Sequence, residues 1–376
     1  MKAVIVLSQP PLIEGGAPGR CAVSLLRGLR QNGVEVDAHA ARQHFAIAGE
    51  VPADLGVTSH DVAPQRSGIA SIGRRLRRPN GDLCRPDFLD QIAAAAASAD
   101  VVHLEDIESA WSDLRVHVPS LLHVHYRSRL DRDLGQPWEP RFRHVAEFAL
   151  AEWRGARRHH WLVANSPVVA ATLRRDNPRA EVTVVPLSLD PADYPVATPP
   201  DGLVVGVIGT AGWATTRAAM ERLVESVWPL VHAAVPQAVL RIAGRGTDQL
   251  RSAGSRVGIE TVGEVASAAE FIRGLSLLLF PLTRGSGMKV KVLESLASGV
   301  PVVTTSRGAE GIAANDGMIL AETDAALAAS TIRLLTEEVE RHQRAAAARA
   351  TYERLYTPIV ATSPLVALYE RMAAGR

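Results

Sequence analysis

Cysteine is nearly absent. Cys21 and Cys84 are the only two among 376 residues, too few for a disulfide framework or a four-thiolate zinc site. Long apolar runs are also missing: stretches such as Leu277–Leu282 fall far short of the roughly 18 residues that a membrane-crossing helix needs. The N-terminal MKAVIVLSQP has only a short apolar stretch before Gln9 and Pro10, so it reads as a first strand and not as a signal peptide. Neither sign of charge dominates. Lys+Arg number 41 and Asp+Glu 40, which gives no global reason to expect a nucleic-acid partner. Lysine is scarce as well: Lys2, Lys289 and Lys291 are the only three. What is present, 47% hydrophobic and 22% charged residues, excludes a mainly disordered chain. At about 150 residues per domain the length suggests two domains, in a soluble, cytoplasmic protein.

Short β-branched runs alternate with longer amphipathic stretches. Strands are expected at Ala3–Ser8, Val34–Ala40, Val101–Glu105, Ser120–His125, Trp161–Asn165 and Val182–Pro186. Helical patterns lie between them, at Arg20–Gln31, Phe88–Ala97, Trp138–Arg157 and Pro167–Arg174. Such alternation, with strands apolar on both faces, predicts a parallel sheet covered by helices. The pattern pauses at Leu189–Gly202, LDPADYPVATPPDG, whose four prolines and lack of periodicity mark a linker. It restarts with strands at Leu203–Thr210, Ala238–Ala243, Leu277–Pro281 and Val300–Thr304, and helices at Arg217–Ala234, Met288–Ser298, Ala325–Tyr356 and Ser363–Ala374. The expectation is an α/β protein of two Rossmann-like domains facing across a cleft, with ligands beyond the carboxyl ends of the strands. Residues 1–188 form the first domain, 189–202 the linker and 203–356 the second domain. The terminal helix, 357–376, packs back on the first domain.

The segment richest in chemistry is Pro281–Thr305, PLTRGSGMKVKVLESLASGVPVVTT. A buried strand ends at Pro281, a turn through Arg284, Gly285, Ser286 and Gly287 follows, and a helix begins near Met288. Unpaired N–H groups and the positive dipole end make a helix start an anion site. Lys289 and Lys291 add cations in the first turn, where the dipole alone would disfavour them. A bound anion explains them better than a solvated basic end does. Glu294 lies within reach of a group bound above that turn.

These residues resemble the donor-binding segment of retaining glycosyltransferases with the GT-B fold, of the glycosyltransferase family 4 type. The segment from Gly209 through GRG at 244–246 is similar to the start of that family's C-terminal domain. The resemblance implies that the glycine turn, Met288, Lys289 and Lys291 hold a donor diphosphate and that Glu294 hydrogen-bonds the ribose. It also implies that Gly244 closes a strand, and that Val262–Val265, ending in Val265, cups the nucleobase. Two departures stand out. Ser286 occupies a position where many members have glutamate, and the nearest cation early in the first C-terminal helix is Arg217, where lysine is common.

The N-terminal half offers a second glycine turn, Gly15-Gly16, before the helix at Arg20. Only glycine lets backbone amides approach a phosphate so closely; alone this motif is a weak signal that a plain loop also explains, but paired with the second domain's glycine turn it reads as donor-binding. His123 and His125 share one face of a strand, and His125 falls at its end, the usual catalytic edge. A strand histidine is otherwise commonly a satisfied core residue; the resemblance makes His125 the contact to the transferred sugar. Glu105, Asp106 and Glu108 follow another strand end and suit the acceptor side, or simply cap a helix start. His159-His160 is expected at a helix end.

No Cys/His set shows metal-ligand spacing. Asp131-Arg132-Asp133 resembles a metal-binding DxD but sits in an Arg-rich loop, so it reads as chance. Six arginines from Arg66 to Arg85 oppose only Asp82. The Arg74–Arg78 part suits a mobile solvated loop, or peripheral contact with an anionic membrane or acceptor.

The function expected is sugar transfer from a nucleotide-diphosphate donor to a hydroxyl of a small-molecule, glycan or lipid-linked acceptor. It proceeds with retention, and without metal or cofactor beyond the nucleotide-sugar co-substrate. Two rivals stay open: a dinucleotide-dependent oxidoreductase, which lacks a GxGxxG motif with an acidic residue about twenty on, and a catalytically silent nucleotide-binding protein.

Overall fold

A computed structural model describes residues 1–14, 16–42, 49–62, 69–132, 136, 138, 140–198, 200, 202–250, 257–314 and 316–375. The chain divides into two compact units, Met1–Ser188 with Pro358–Arg376, and Leu189–Thr357.

The first unit runs β1 (Lys2–Leu7), α1 (Ala17–Gln31), β2 (Glu35–Arg42), β3 (Val57–Asp61), α2 (Ile69–Arg77), α3 (Pro86–Ala96), β4 (Val101–Glu105), β5 (Ser120–Val124), α4 (Ser128–Asp131), α5 (Pro140–Arg158), β6 (Trp161–Ala164), α6 (Pro167–Asp176) and β7 (Glu181–Val184). Its seven strands are all parallel, in the order β3-β2-β1-β4-β5-β6-β7. Strand β1 is central and buried from Ala3 to Leu7, which is why its sequence is apolar on both faces. The order reverses between β1 and β4, so their carboxyl ends open the crevice in which doubly wound sheets bind ligands.

The second unit repeats the plan. It contains β8 (Val204–Ile208), α7 (Ala214–Arg222), α8 (Trp228–Ala234), β9 (Val239–Ala243), β10 (Ile259–Gly263), α9 (Ala268–Arg273), β11 (Leu277–Phe280), α10 (Val290–Ala297), β12 (Val302–Thr304), β13 (Met318–Leu320), α11 (Asp324–Thr336) and α12 (Glu338–Leu355). The strand order is β10-β9-β8-β11-β12-β13, again parallel. Here the switch point lies between β8 and β11.

The last helix, α13 (Pro358–Ala374), returns to the first unit. Leu365, Leu368, Tyr369 and Met372 join the core formed by Ile5, Leu26 and Leu29. Gly28 makes this approach feasible: a Cβ there would lie 2.4 Å from the Pro358 carbonyl oxygen. The Asn32 amide nitrogen donates to Ile359 O at 2.8 Å and to Thr362 Oγ1 at 3.0 Å.

Several details differ from the sequence pattern. Strands β3, β10 and β13 were not expected; each is a sheet edge with a half-exposed, weakly alternating sequence. The stretch after Ser188 is no free linker. Leu189 N donates to Tyr356 O at 3.3 Å, the Tyr352 hydroxyl donates to Leu189 O at 2.7 Å, and Tyr194 is buried. The expected helix over 217–234 is broken by a π-helical turn, Leu223–Val227, just ahead of Pro229. The helix expected over 325–356 is two, α11 and α12.

Candidate functional site

In the second unit, three segments meet at the carboxyl edge of β8 and β11. Strand β8 leads into Gly209, and β9 into Gly244. These two glycines touch backbone to backbone. Gly244 has φ +121°, and a Cβ on it would lie 2.1 Å from the Gly209 carbonyl oxygen. No side chain fits there. A Cβ on Gly209 would meet the Lys291 ammonium at 2.7 Å, so Lys291 rests on the turn after β8.

After β11 the chain passes Pro281 and buried Gly285, Ser286, Gly287 and Met288 to reach α10. The helix starts at Val290, two residues later than expected, which makes Lys289 its N-cap and not part of its first turn. The Lys289 ammonium donates to Ser286 O at 2.7 Å and Gly287 O at 2.6 Å, bracing the glycine turn. Lys291 differs. Its ammonium lies 4.3 Å from the centroid of the Phe280 ring and, among the described residues, has no hydrogen bond or ion pair. The side chain keeps some exposed area, but its ammonium is crowded by protein. Burial, then the like charge of Lys289, lowers its pKa to about 8 against a weaker pull from Glu294.

Glu294 is buried, and its Oε1 accepts from the Tyr194 hydroxyl at 2.9 Å. Arg217 donates to Ala211 O at 2.9 Å and so ties α7 to the loop after β8. Arg284 is exposed at the rim of the glycine turn, and Val265 is half-buried just past β10. Glu310 was missed by the sequence reading. Its Oε1 accepts from the Gly287 amide at 2.8 Å while Arg307 pairs with Oε2 at 3.2 Å. The Gly287 N–H expected to face an anion is therefore taken. The amides of Val290 and Lys291 still open the helix N-terminus.

In the first unit, Gly16 is the N-cap of α1; Gly15 lies outside the described residues, as do Asp133 and 63–68. The neighbouring Asp131 is buried at the end of α4. His125 sits one residue past β5, and the carboxylate of Glu105 ends β4. Glu105 is buried and closed to an acceptor because three imidazoles occupy it. His103 Nε2 at 2.8 Å and His123 Nδ1 at 3.1 Å share Oε2, and His125 Nε2 takes Oε1 at 2.6 Å. The group His103, Glu105 and His123 offers atoms all within 4.8 Å of one another, a spacing a metal could use. Their mutual hydrogen bonds already account for that convergence.

The charges follow from this arrangement. Burial pushes the Glu105 carboxyl up, but the His123 and His125 rings and the hydrogen bond from His103 outweigh it and hold it well below the usual range. Burial lowers His123 to about 4. For His125, burial also works downward, but Glu105 and then Asp106 overcome it and raise the ring to about 9. His125 is thus an imidazolium at neutral pH. Asp106, 3.8 Å from His125 Nε2, is raised by burial to about 6. Glu108 is raised by burial and by Asp106 to about 8. Asp106 also has a φ of +68°, a strained backbone for a non-glycine residue, such as clusters at functional sites.

The other sequence features fall elsewhere. His159 follows α5 and lies 3.3 Å from Asp113. Arg74–Arg77 lie in helix α2, not in a loop, and Arg78 follows its end; Arg75 pairs with Glu147 of α5 and Arg154 donates to Leu76 O.

Residues 202–337 match the family described as "Glycosyl transferases group 1", and residues 16–188 that described as "Glycosyl transferase 4-like domain". No curated protein sequence matches the chain. Among solved structures, HepE from Anabaena, in complex with UDP and glucose, is 14% identical with a TM-score of 0.64, over 98% of this chain and 99% of that one. WaaG, a glycosyltransferase involved in lipopolysaccharide biosynthesis, is 15% identical with a TM-score of 0.62, over 99% of each chain. An apo structure of OtsA is 11% identical with a TM-score of 0.66, over 98% of this chain and 99% of that one.

Proposed function

The chain belongs to the group 1 glycosyltransferases, and we propose that it carries a sugar from a nucleoside diphosphate to an acceptor hydroxyl with retention and without a metal. The Lys291 ammonium carries the reading. An ammonium crowded by protein, facing an aromatic ring and no carboxylate partner, is stabilised most by an anion from outside. The first-turn amides of α10 supply further donors at the same place.

In the reaction the bond from the anomeric carbon to the diphosphate oxygen breaks, and a bond to the acceptor oxygen forms on the same face. The acceptor's proton passes to the departing diphosphate. Lys291 and the first-turn amides, with the turn braced by Lys289, stabilise the charge that builds on the leaving group, which is the work a metal would otherwise do. The imidazolium of His125 donates to the transferred sugar, and Asp106 accepts from the acceptor side. The acceptor is a small molecule, a glycan or a lipid-linked sugar. Helix α2 exposes Arg74 and Arg77 beside Leu76, which is 57% exposed, and Arg78 just past its end is exposed as well. That surface suits an anionic membrane from the cytoplasmic side; the near-zero net charge argues against nucleic acid.

A panel of nucleotide sugars tests the reading, with UDP-glucose first because of the similarity to a protein solved with UDP and glucose. The expected outcome is a rise in melting temperature with one donor and release of its nucleoside diphosphate. Stabilisation by donors without any release would leave a binding protein, not an enzyme.

A further inference from the structure

Glu105 is the hub of a buried chain of hydrogen bonds that reaches beyond the strands. An ionised carboxylate only accepts, so each of its three partners must present an N–H to it. His103 therefore points its Nε2–H at Glu105 Oε2. Its other nitrogen, Nδ1, lies 2.5 Å from the hydroxyl of Tyr369, on α13. His103 and Tyr369 are both fully buried. Among the described residues the Tyr369 hydroxyl has no other hydrogen-bond partner, so its proton goes to His103 Nδ1. That donation locks His103 in the Nε2–H form. With Oε2 held by His103 and His123, Oε1 belongs to His125 alone.

We propose that Tyr369 is a positioning residue for His125, acting through His103 and Glu105. The proposal rests on the reading that His125 acts on the transferred sugar. Without the hydroxyl, His103 Nδ1 loses its protein donor in a fully buried site, and the ring is free to carry its proton there. Its Nε2 lone pair would then face the Glu105 oxygen. The carboxylate would turn toward the remaining donors, and Oε1 would leave His125. The C-terminal helix is thus part of the reaction machinery as well as a structural brace. Nucleotide binding is untouched, because the diphosphate site belongs to the other compact unit.

Two measurements test this on the full-length chain. In wild-type protein with ¹⁵N-labelled histidine, the ring spectrum should show His103 protonated at Nε2 and unprotonated at Nδ1; a proton on Nδ1 overturns the proposal. The second is kinetic, with the nucleotide sugar that the donor panel selects. Tyr369→Phe removes only the hydroxyl and should lower kcat about three- to tenfold, the scale of one lost hydrogen bond, with the Kd for the nucleoside diphosphate unchanged. In a His125→Ala background the same change should add nothing. Wild-type kcat in Tyr369→Phe beside an impaired His125→Ala overturns the positioning role, and so do losses that multiply in the double variant. Wild-type turnover by His125→Ala alone would instead remove the underlying reading, and the proposal with it. If Tyr369→Phe does not fold, the wild-type ring spectrum decides.

Discussion

The hydroxyl of Tyr194 donates to Oε1 of Glu294 across 2.9 Å, joining the stretch after Ser188 to helix α10. A carboxylate held this way is oriented before any ligand arrives. If Glu294 accepts from a ribose, Glu294→Gln should weaken nucleotide binding about tenfold or more, since a charged acceptor is lost. Tyr194→Phe should weaken it less, by misaligning the carboxylate. Calorimetry with the nucleoside diphosphate checks both; lowered melting temperatures with unchanged affinity would make the pair purely structural.

The pH dependence of diphosphate binding follows from Lys291. Its pKa lies near 8 in the free protein, and the diphosphate prefers the protonated form. Affinity should therefore fall as pH rises through 8, by up to about tenfold per unit. Binding above pH 8 should take up a proton. Lys291→Arg, whose charge persists through this range, should flatten the profile. An equally steep fall in that variant would place the titration elsewhere.

His125 should reveal itself in turnover. If its imidazolium donates to the sugar in the transition state, its loss appears in kcat. His125→Ala should cost about a hundredfold or more in turnover, the scale of a lost charge-stabilising donor, and leave nucleotide affinity within about twofold. Because its pKa is raised to about 9, wild-type kcat should hold from pH 7 to 8 and decline as the pH passes that value. A folded variant with normal turnover would refute the role.

Metal independence has a simple check. If Lys291 and the amides of α10 carry the leaving charge, turnover should survive EDTA. Loss of turnover that Mn²⁺ restores would direct attention to Asp131 and to the His103–Glu105–His123 group.

What was legible in the sequence is what the chain keeps local. The strand, glycine turn and helix of Pro281–Thr305 are contiguous, and two of the three lysines mark where the turn meets the helix. The same holds for β-branched central strands and for His125 at a strand end. Partners chosen by tertiary packing left no such trace. Tyr369 is 266 residues from His103, and on α13 it shares the spacing of ordinary core residues Leu365 and Met372. Glu310 meets Gly287 across 23 residues with no motif around it. Glu105 looked open to an acceptor because nothing in sequence says that three imidazoles converge on it. The misplaced helix start has a similar cause: Lys289 folds back onto the carbonyls of Ser286 and Gly287, so the regular helix begins one residue after it.

The central claim, that the turn between β11 and α10 holds the donor's diphosphate, is tested most directly by calorimetric titration of the nucleoside diphosphate that the donor panel selects into wild type, Lys291→Ala and Lys289→Ala. Lys291→Ala removes a charge-assisted contact worth roughly 1.5–3 kcal/mol, so binding should weaken about ten- to a hundredfold. Lys289→Ala should weaken it as well, by loosening the turn that it braces. Affinity equal to wild type in both variants would contradict the account.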